Sequence, residues 1–151
     1  MKYTTKTEYG LICLSYMATK GSGATVTVRE IAGAESYSQS YLEKIMQQLR
    51  LAGVVSSAHG QQGGYILTQD PTRITLLCVI EALEGSTFEV YCEPKVREQI
   101  VCTHHAMGCQ MKAVWQNARR MLNEYFGSLT VASLVPCKVP VPEASAPGEA
   151  R

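Results

Sequence analysis

Cys92, Cys102 and Cys109 fall within one 18-residue stretch of a 151-residue chain that holds six cysteines in all. Three soft ligands so close in sequence suit zinc, cuprous ion or an iron-sulfur cluster. The intervals, nine residues and then six, lack the tight Cys-x2-Cys knuckle of common structural zinc sites, so spacing alone leaves the metal open. Reversible disulfide formation among the same thiols is the metal-free alternative. His104 and His105 lie inside the stretch as further candidate ligands. Either histidine beside a nucleophilic cysteine would suggest an enzyme. Neither has an orienting carboxylate at a recognisable spacing, and no phosphate loop or cofactor fingerprint is present, so the chain reads as a non-enzyme.

The remaining composition narrows the setting. The start, MKYTTKTEYG, has no apolar run behind a basic one, and nothing nears the ~18 apolar residues of a membrane span. A cytoplasmic protein is expected, where a disulfide framework is disfavoured. Cys13 and Cys78, among apolar neighbours in helical segments, read as small buried hydrophobes, and Cys137 carries no assignment. With 14 Lys+Arg against 13 Asp+Glu, the chain has no polybasic coat, so nucleic-acid binding here must be shaped and specific.

The elements that must position these residues follow from periodicity and punctuation. Thr5-Lys6-Thr7-Glu8 reads as a capping box opening a helix to about Thr19, and Thr27-Val28-Arg29-Glu30 as a second box opening a short helix to about Ala34. From Ser38, the residues Leu42, Ile45, Met46, Leu49 and Ala52 repeat at helical spacing until Gly53. Val54–Ala58 and Tyr65–Thr68 are strand-like, joined by His59-Gly60-Gln61-Gln62-Gly63-Gly64. Helix, turn, helix and a Gly-rich hairpin make a winged helix-turn-helix. Thr75 caps a further helix ending at Gly85, periodicity lapses from Ser86 to Cys109, and one apolar stripe, Val114, Ala118, Met121, Leu122 and Tyr125, then marks a long helix with Trp115 beside it. Thr130 opens a last turn through Leu134.

The expected fold is thus mainly α with a small β-hairpin wing: a winged helix-turn-helix domain plus a long dimerisation helix. The divisions are 1–84 for DNA binding, 85–112 for the cysteine-bearing loop, 113–135 for the dimerisation helix and last turn, and 136–151 for a Pro-rich disordered tail.

A recognition helix presents its N-terminal side chains to the major groove. Here these are Ser38, Gln39, Ser40, Tyr41, Glu43 and Lys44. Gln bonds adenine bidentately, Glu accepts from cytosine N4, and Tyr41 and Lys44 suit phosphates. Ser38 is also an N-cap residue, the commoner use of its type at such a place, and Glu43 is also an ordinary solvated helix residue. His59, Gln61 and Gln62 are the wing side chains within reach of a minor groove.

The opening Met-Lys-Tyr-Thr, the run SYLEKIMQQLRLAGVVSS and the wing HGQQGGYIL, together with three cysteines ahead of the long helix, resemble the Rrf-type transcription regulators, the group of IscR, NsrR and RirA. The resemblance covers roughly residues 1–135. It implies a bacterial homodimer on double-stranded operator DNA, with an iron-sulfur cluster of the 2Fe-2S or 4Fe-4S type held by Cys92, Cys102 and Cys109. In nitric-oxide-sensing relatives an N-terminal acidic residue completes the ligand set across the dimer. Glu8 stands at that place, with His104 and His105 as competitors and the capping box as its plain structural use. The cysteine intervals are long for the family. His59 also stands where the family often has an arginine, so the resemblance implies a weaker or pH-dependent minor-groove contact.

Overall fold

Helix α1, Thr5–Thr19, buries Thr7, Gly10, Cys13, Leu14 and Met17, one face at three- and four-residue spacing. The structure is a computed structural model and describes residues 4–58, 63–88 and 109–135. The capping box expected between Thr5 and Glu8 does not form, because the N-cap is Thr4. Its N–H and hydroxyl both donate to the Glu84 carboxylate, eighty residues away. Thr7 donates its hydroxyl to the same oxygen at 2.6 Å, and the Lys6 ammonium lies 4.0 Å from the other oxygen. A distant carboxylate has displaced the local one, and Glu8 is left exposed.

Helix α2, Val28–Glu35, has the expected capping box: Glu30 N–H donates to Thr27 Oγ at 3.1 Å, and Thr27 N–H to Glu30 Oε2 at 2.8 Å. It ends at Ser36 in the left-handed region, φ 59°. Helix α3, Gln39–Leu51, buries Leu42, Ile45, Met46 and Leu49. Its end is a Schellman motif: Gly53 N–H reaches Arg50 O at 3.0 Å and Val54 N–H reaches Leu49 O at 2.9 Å, with Gly53 at φ 76°.

Strand β1, Val55–Ala58, pairs antiparallel with β2, Gly64–Leu67, in the register Val55 to Leu67 through Ala58 to Gly64. A bridge the sequence did not suggest joins Val26 to Tyr65, with N–H···O distances of 2.9 and 2.8 Å. It ties the hairpin to the segment that enters α2. Residues 59–62, which carry His59, Gln61 and Gln62, lie outside the described residues.

Helix α4, Leu76–Glu84, is capped by Thr75, whose hydroxyl accepts from Cys78 N–H, and stops at Gly85. Helix α5, Gln110–Ser128, buries none of its residues. The chain then returns to the winged domain: Leu76 N–H donates to Leu129 O, Val131 N–H to Ile74 O, and a 3-10 turn at Val131–Leu134 buries Val131. Thr130 precedes that turn, but its hydroxyl does not cap it. Among the described residues, five α-helices and a two-stranded wing form the expected mainly α architecture. Among the described residues no helix is long and apolar enough to cross a membrane.

Partial burial acts to raise the Glu84 carboxyl, but the hydrogen bonds from Thr4 and Thr7, with Lys6 nearby, hold it below the usual carboxylate range. A depressed value stabilises the fold above the ordinary carboxylate pKa, and that contribution is lost as pH falls through the lower native value. Glu84→Ala is therefore expected to cost about 1.5–3 kcal/mol near neutrality. In urea unfolding, the gap from wild type should narrow as the pH is lowered through that range.

Candidate nucleic-acid interface and thiol centre

The buried stripe of α3 fixes what its other face presents. Gln39, Ser40, Glu43 and Lys44 are exposed, as is Ser38 at the N-cap position. The Ser38 hydroxyl does not cap the helix; it pairs with the Ser40 hydroxyl at 3.1 Å. Gln39 Nε2 donates to Glu43 Oε1 at 2.9 Å, so these two side chains lie along one line on the exposed face. Tyr41 is half-buried, and its ring meets Tyr9 of α1 edge-on at 5.5 Å.

Gln39 and Glu43 also line a groove of about 510 Å³ between the helix-turn-helix and the wing. Its other sides come from Thr27, Val28 and Arg29 at the start of α2 and from Ser57, Ala58 and Gly63–Tyr65 of the hairpin. Arg29 and Ser57 escaped the sequence reading. The first-turn position of Arg29 was visible, but its placement opposite the hairpin depends on the Val26–Tyr65 bridge.

Cys109 is half-buried at the N-cap of α5. The first-turn N–H groups of a helix are favourable neighbours for the negative charge of metal-bound thiolates. Just before residue 89, Thr87 Oγ donates to Asn123 Oδ1 of α5, and the Phe88 ring lies 5.7 Å from that of Trp115. Trp115 is about 9 Å along the helix axis from Cys109. Both ends of the 89–108 stretch therefore start from the same helix. Cys92, Cys102, His104 and His105 lie outside the described residues, as do Cys137 and the tail. Among the described residues no three His, Cys, Asp or Glu gather as a metal site.

Cys13 is fully buried, and burial, with Glu35 adding to it, pushes its thiol up to about 12. Cys78 corrects its expectation, being exposed. Helix α4 buries Leu76, Val79, Ile80 and Leu83, and position 78 falls between the members of that stripe, on the other face.

A family model for Rrf2, iron-dependent transcriptional regulator, matches residues 3–136, a span that includes the winged domain and α5. The chain belongs to the Rrf2 family. It is 32% identical over 135 residues to protein rrf2 of Nitratidesulfovibrio vulgaris, covering 89% of this chain and 87% of that one. It is 30% identical to the transcriptional regulator IscR of Xenorhabdus nematophila, over 89% and 79% of the two chains. The structure of CymR, the global cysteine regulator of B. subtilis, superposes with a TM-score of 0.73 at 28% identity, covering 92% of this chain and 99% of CymR. This Rrf2 protein is a transcriptional regulator and not an enzyme. Its two described non-loop thiols should differ sharply: in the native state a maleimide is expected to label Cys78 within minutes and Cys13 only after denaturation, as read by peptide mass.

Proposed function

We propose that this Rrf2 regulator binds double-stranded operator DNA as a homodimer and that an iron-sulfur cluster sets its affinity. Ser38, Gln39, Ser40, Tyr41, Glu43 and Lys44 serve the major groove, and His59 and Gln61 the minor groove. Cys92, Cys102 and Cys109 are the protein's thiolate ligands to the cluster, and Glu8 is the fourth, given across the dimer. The family model's iron-dependent description and the likeness to IscR support this reading.

The observation that carries it is the state of Glu8 and Cys109. Glu8 is exposed outside any capping box, and no hydrogen bond among the described residues uses its carboxylate. Cys109 begins the helix that leaves Val114, Met121 and Tyr125 53%, 62% and 60% exposed, the apolar stripe a second copy would cover. Three thiolates and one carboxylate suit an iron-sulfur cluster, with the carboxylate the ligand most easily lost. When bound, the cluster supplies a centre that iron supply, oxidation or nitric oxide can alter. The chain's own part is to tie that centre to α5 through Cys109 and to α1 through Glu8, so that a change there bears on the spacing of two recognition helices.

The likeness to CymR, named as a cysteine regulator, supports a second reading in which the same thiols hold zinc or form a disulfide. Protein purified without oxygen separates the two. The cluster reading expects iron and sulfide in matching amounts with visible absorption, all lost in Cys102→Ala, and an operator affinity that differs between loaded and apo protein at one salt concentration. A colourless protein with zinc or a dithiol-sensitive mobility shift selects the second reading. For the dimer, Met121→Glu combined with Tyr125→Glu is expected to give a monomer in sedimentation and to abolish operator retention.

A further inference from the structure

Three tyrosines from separate parts of the chain meet at the start of the recognition helix. The Tyr9 ring of α1 stacks on Tyr37, centroids 4.1 Å apart and planes 15° apart, and receives or presents an edge to Tyr41 at 5.5 Å and 81°. Tyr37 lies in the turn between α2 and α3, one residue before the N-cap Ser38, and Tyr41 is the third residue of α3. The two outer rings therefore bracket Ser38, Gln39 and Ser40. Such pairs hold geometry as well as area, because the ring quadrupole favours offset and edge-on arrangements over others.

Little else holds that turn. Ser38 supplies no side-chain cap, and the backbone bonds of the segment are those of Ser36 and Tyr37 N–H to Ala32 O and the first bonds of α3 to Ser38 O. All three rings are half-buried against the core, so the hold is shielded from water on one side. Tyr9 is also the residue after Glu8.

We propose that Tyr9 is a positioning residue for operator recognition, its ring fixing the first turn of α3 to α1 so that movement of α1 at Glu8 reaches the base-reading side chains. The positioning stands on the ring geometry alone, while the transmission rests on the reading of Glu8 as a ligand. Tyr9 touches no DNA in this scheme. Its substitution should alter how well the correct sequence is told from others, leaving attraction to phosphates unchanged.

The test compares wild type, Tyr9→Phe, Tyr9→Leu and Tyr37→Leu for binding to an operator duplex and to a random duplex of equal length, across a salt series. Folding is checked by circular dichroism. Tyr9→Leu is expected to lower the operator-to-random affinity ratio by about tenfold, with the salt slope unchanged, and Tyr9→Phe, which keeps both ring contacts, to retain the wild-type ratio. Tyr37→Leu, placed in a turn, gives the same readout if Tyr9→Leu does not fold. The loaded-to-apo affinity ratio should also fall toward one in the leucine variants. A wild-type operator-to-random ratio in both leucine variants overturns the positioning role, as does an equal loss on both duplexes. A folded Tyr9→Leu that lowers the operator-to-random ratio but keeps a wild-type loaded-to-apo ratio overturns the transmission. If wild type itself has no loaded-to-apo difference, the cluster reading has failed, and the operator-to-random ratio still decides the role of Tyr9.

Discussion

The absence of a side chain at Gly10 lets α1 lie so close to α4 that a Cβ there would sit 2.4 Å from Leu83 Cδ1. From that seat α1 reaches the rest of the winged domain. The same added Cβ would be 3.5 Å from Ile45 of α3, Ser15 bonds the carbonyl of Leu134 in the last turn, and Thr4 and Thr7 grip Glu84. An interior packed to crystal-like density transmits a displacement of such a helix instead of absorbing it. The position of α1 therefore constrains both the recognition helix and the segment that returns from α5.

This arrangement explains which parts of the fold were legible in the sequence. Thr27 with Glu30, and Thr75 ahead of α4, behaved as read because both partners of each cap lie within four residues. Thr5 with Glu8 has the same local pattern, yet the tertiary structure brings Glu84 to Thr4 and Thr7, and a partner eighty residues away leaves no mark on local spacing. Cys78 was misread from its neighbours although the period of Leu76, Val79, Ile80 and Leu83 already excluded it. The exposed face of α3 was legible because its buried face is so regular. Arg29, Ser57 and the three-ring cluster were not, since each acquires meaning only when the hairpin crosses to Val26 or α1 crosses to α3.

The same physics distinguishes α5 from the other helices. Helices α3 and α4 each bury four side chains in the core and α1 three, whereas α5 buries none: its half-buried Phe126 packs against the core, Leu77 lies near Gly127, and Asn123 and Trp115 meet Thr87 and Phe88. A 19-residue helix in water gains little from propensity alone, so an apolar stripe of this size implies a tertiary or quaternary partner for its stability. Cys109 at its N-cap then stands at the join between that partner surface and the winged domain. In the proposed function, chemistry at this thiol would act where α5 joins the winged domain.

Charge explains why geometry is the variable that matters. With 14 basic and 13 acidic residues, the chain has little field with which to hold DNA regardless of sequence. Glu43 on the exposed face of α3 opposes phosphate, and its hydrogen bond from Gln39 keeps it aligned with the side chains proposed for base edges. Selection of an operator rests on base contacts made in register, each bidentate pair contributing about 1–3 kcal/mol of discrimination, or about five- to 150-fold. A small tilt of the first turn of α3 that breaks one such pair removes a large share of that discrimination, with only the weak field of a near-neutral chain beneath it. A strongly basic regulator would stay on DNA through the same tilt. In the proposed homodimer a modest movement, passed from α1 through the ring cluster or from α5 across the dimer, would be enough to separate bound from free.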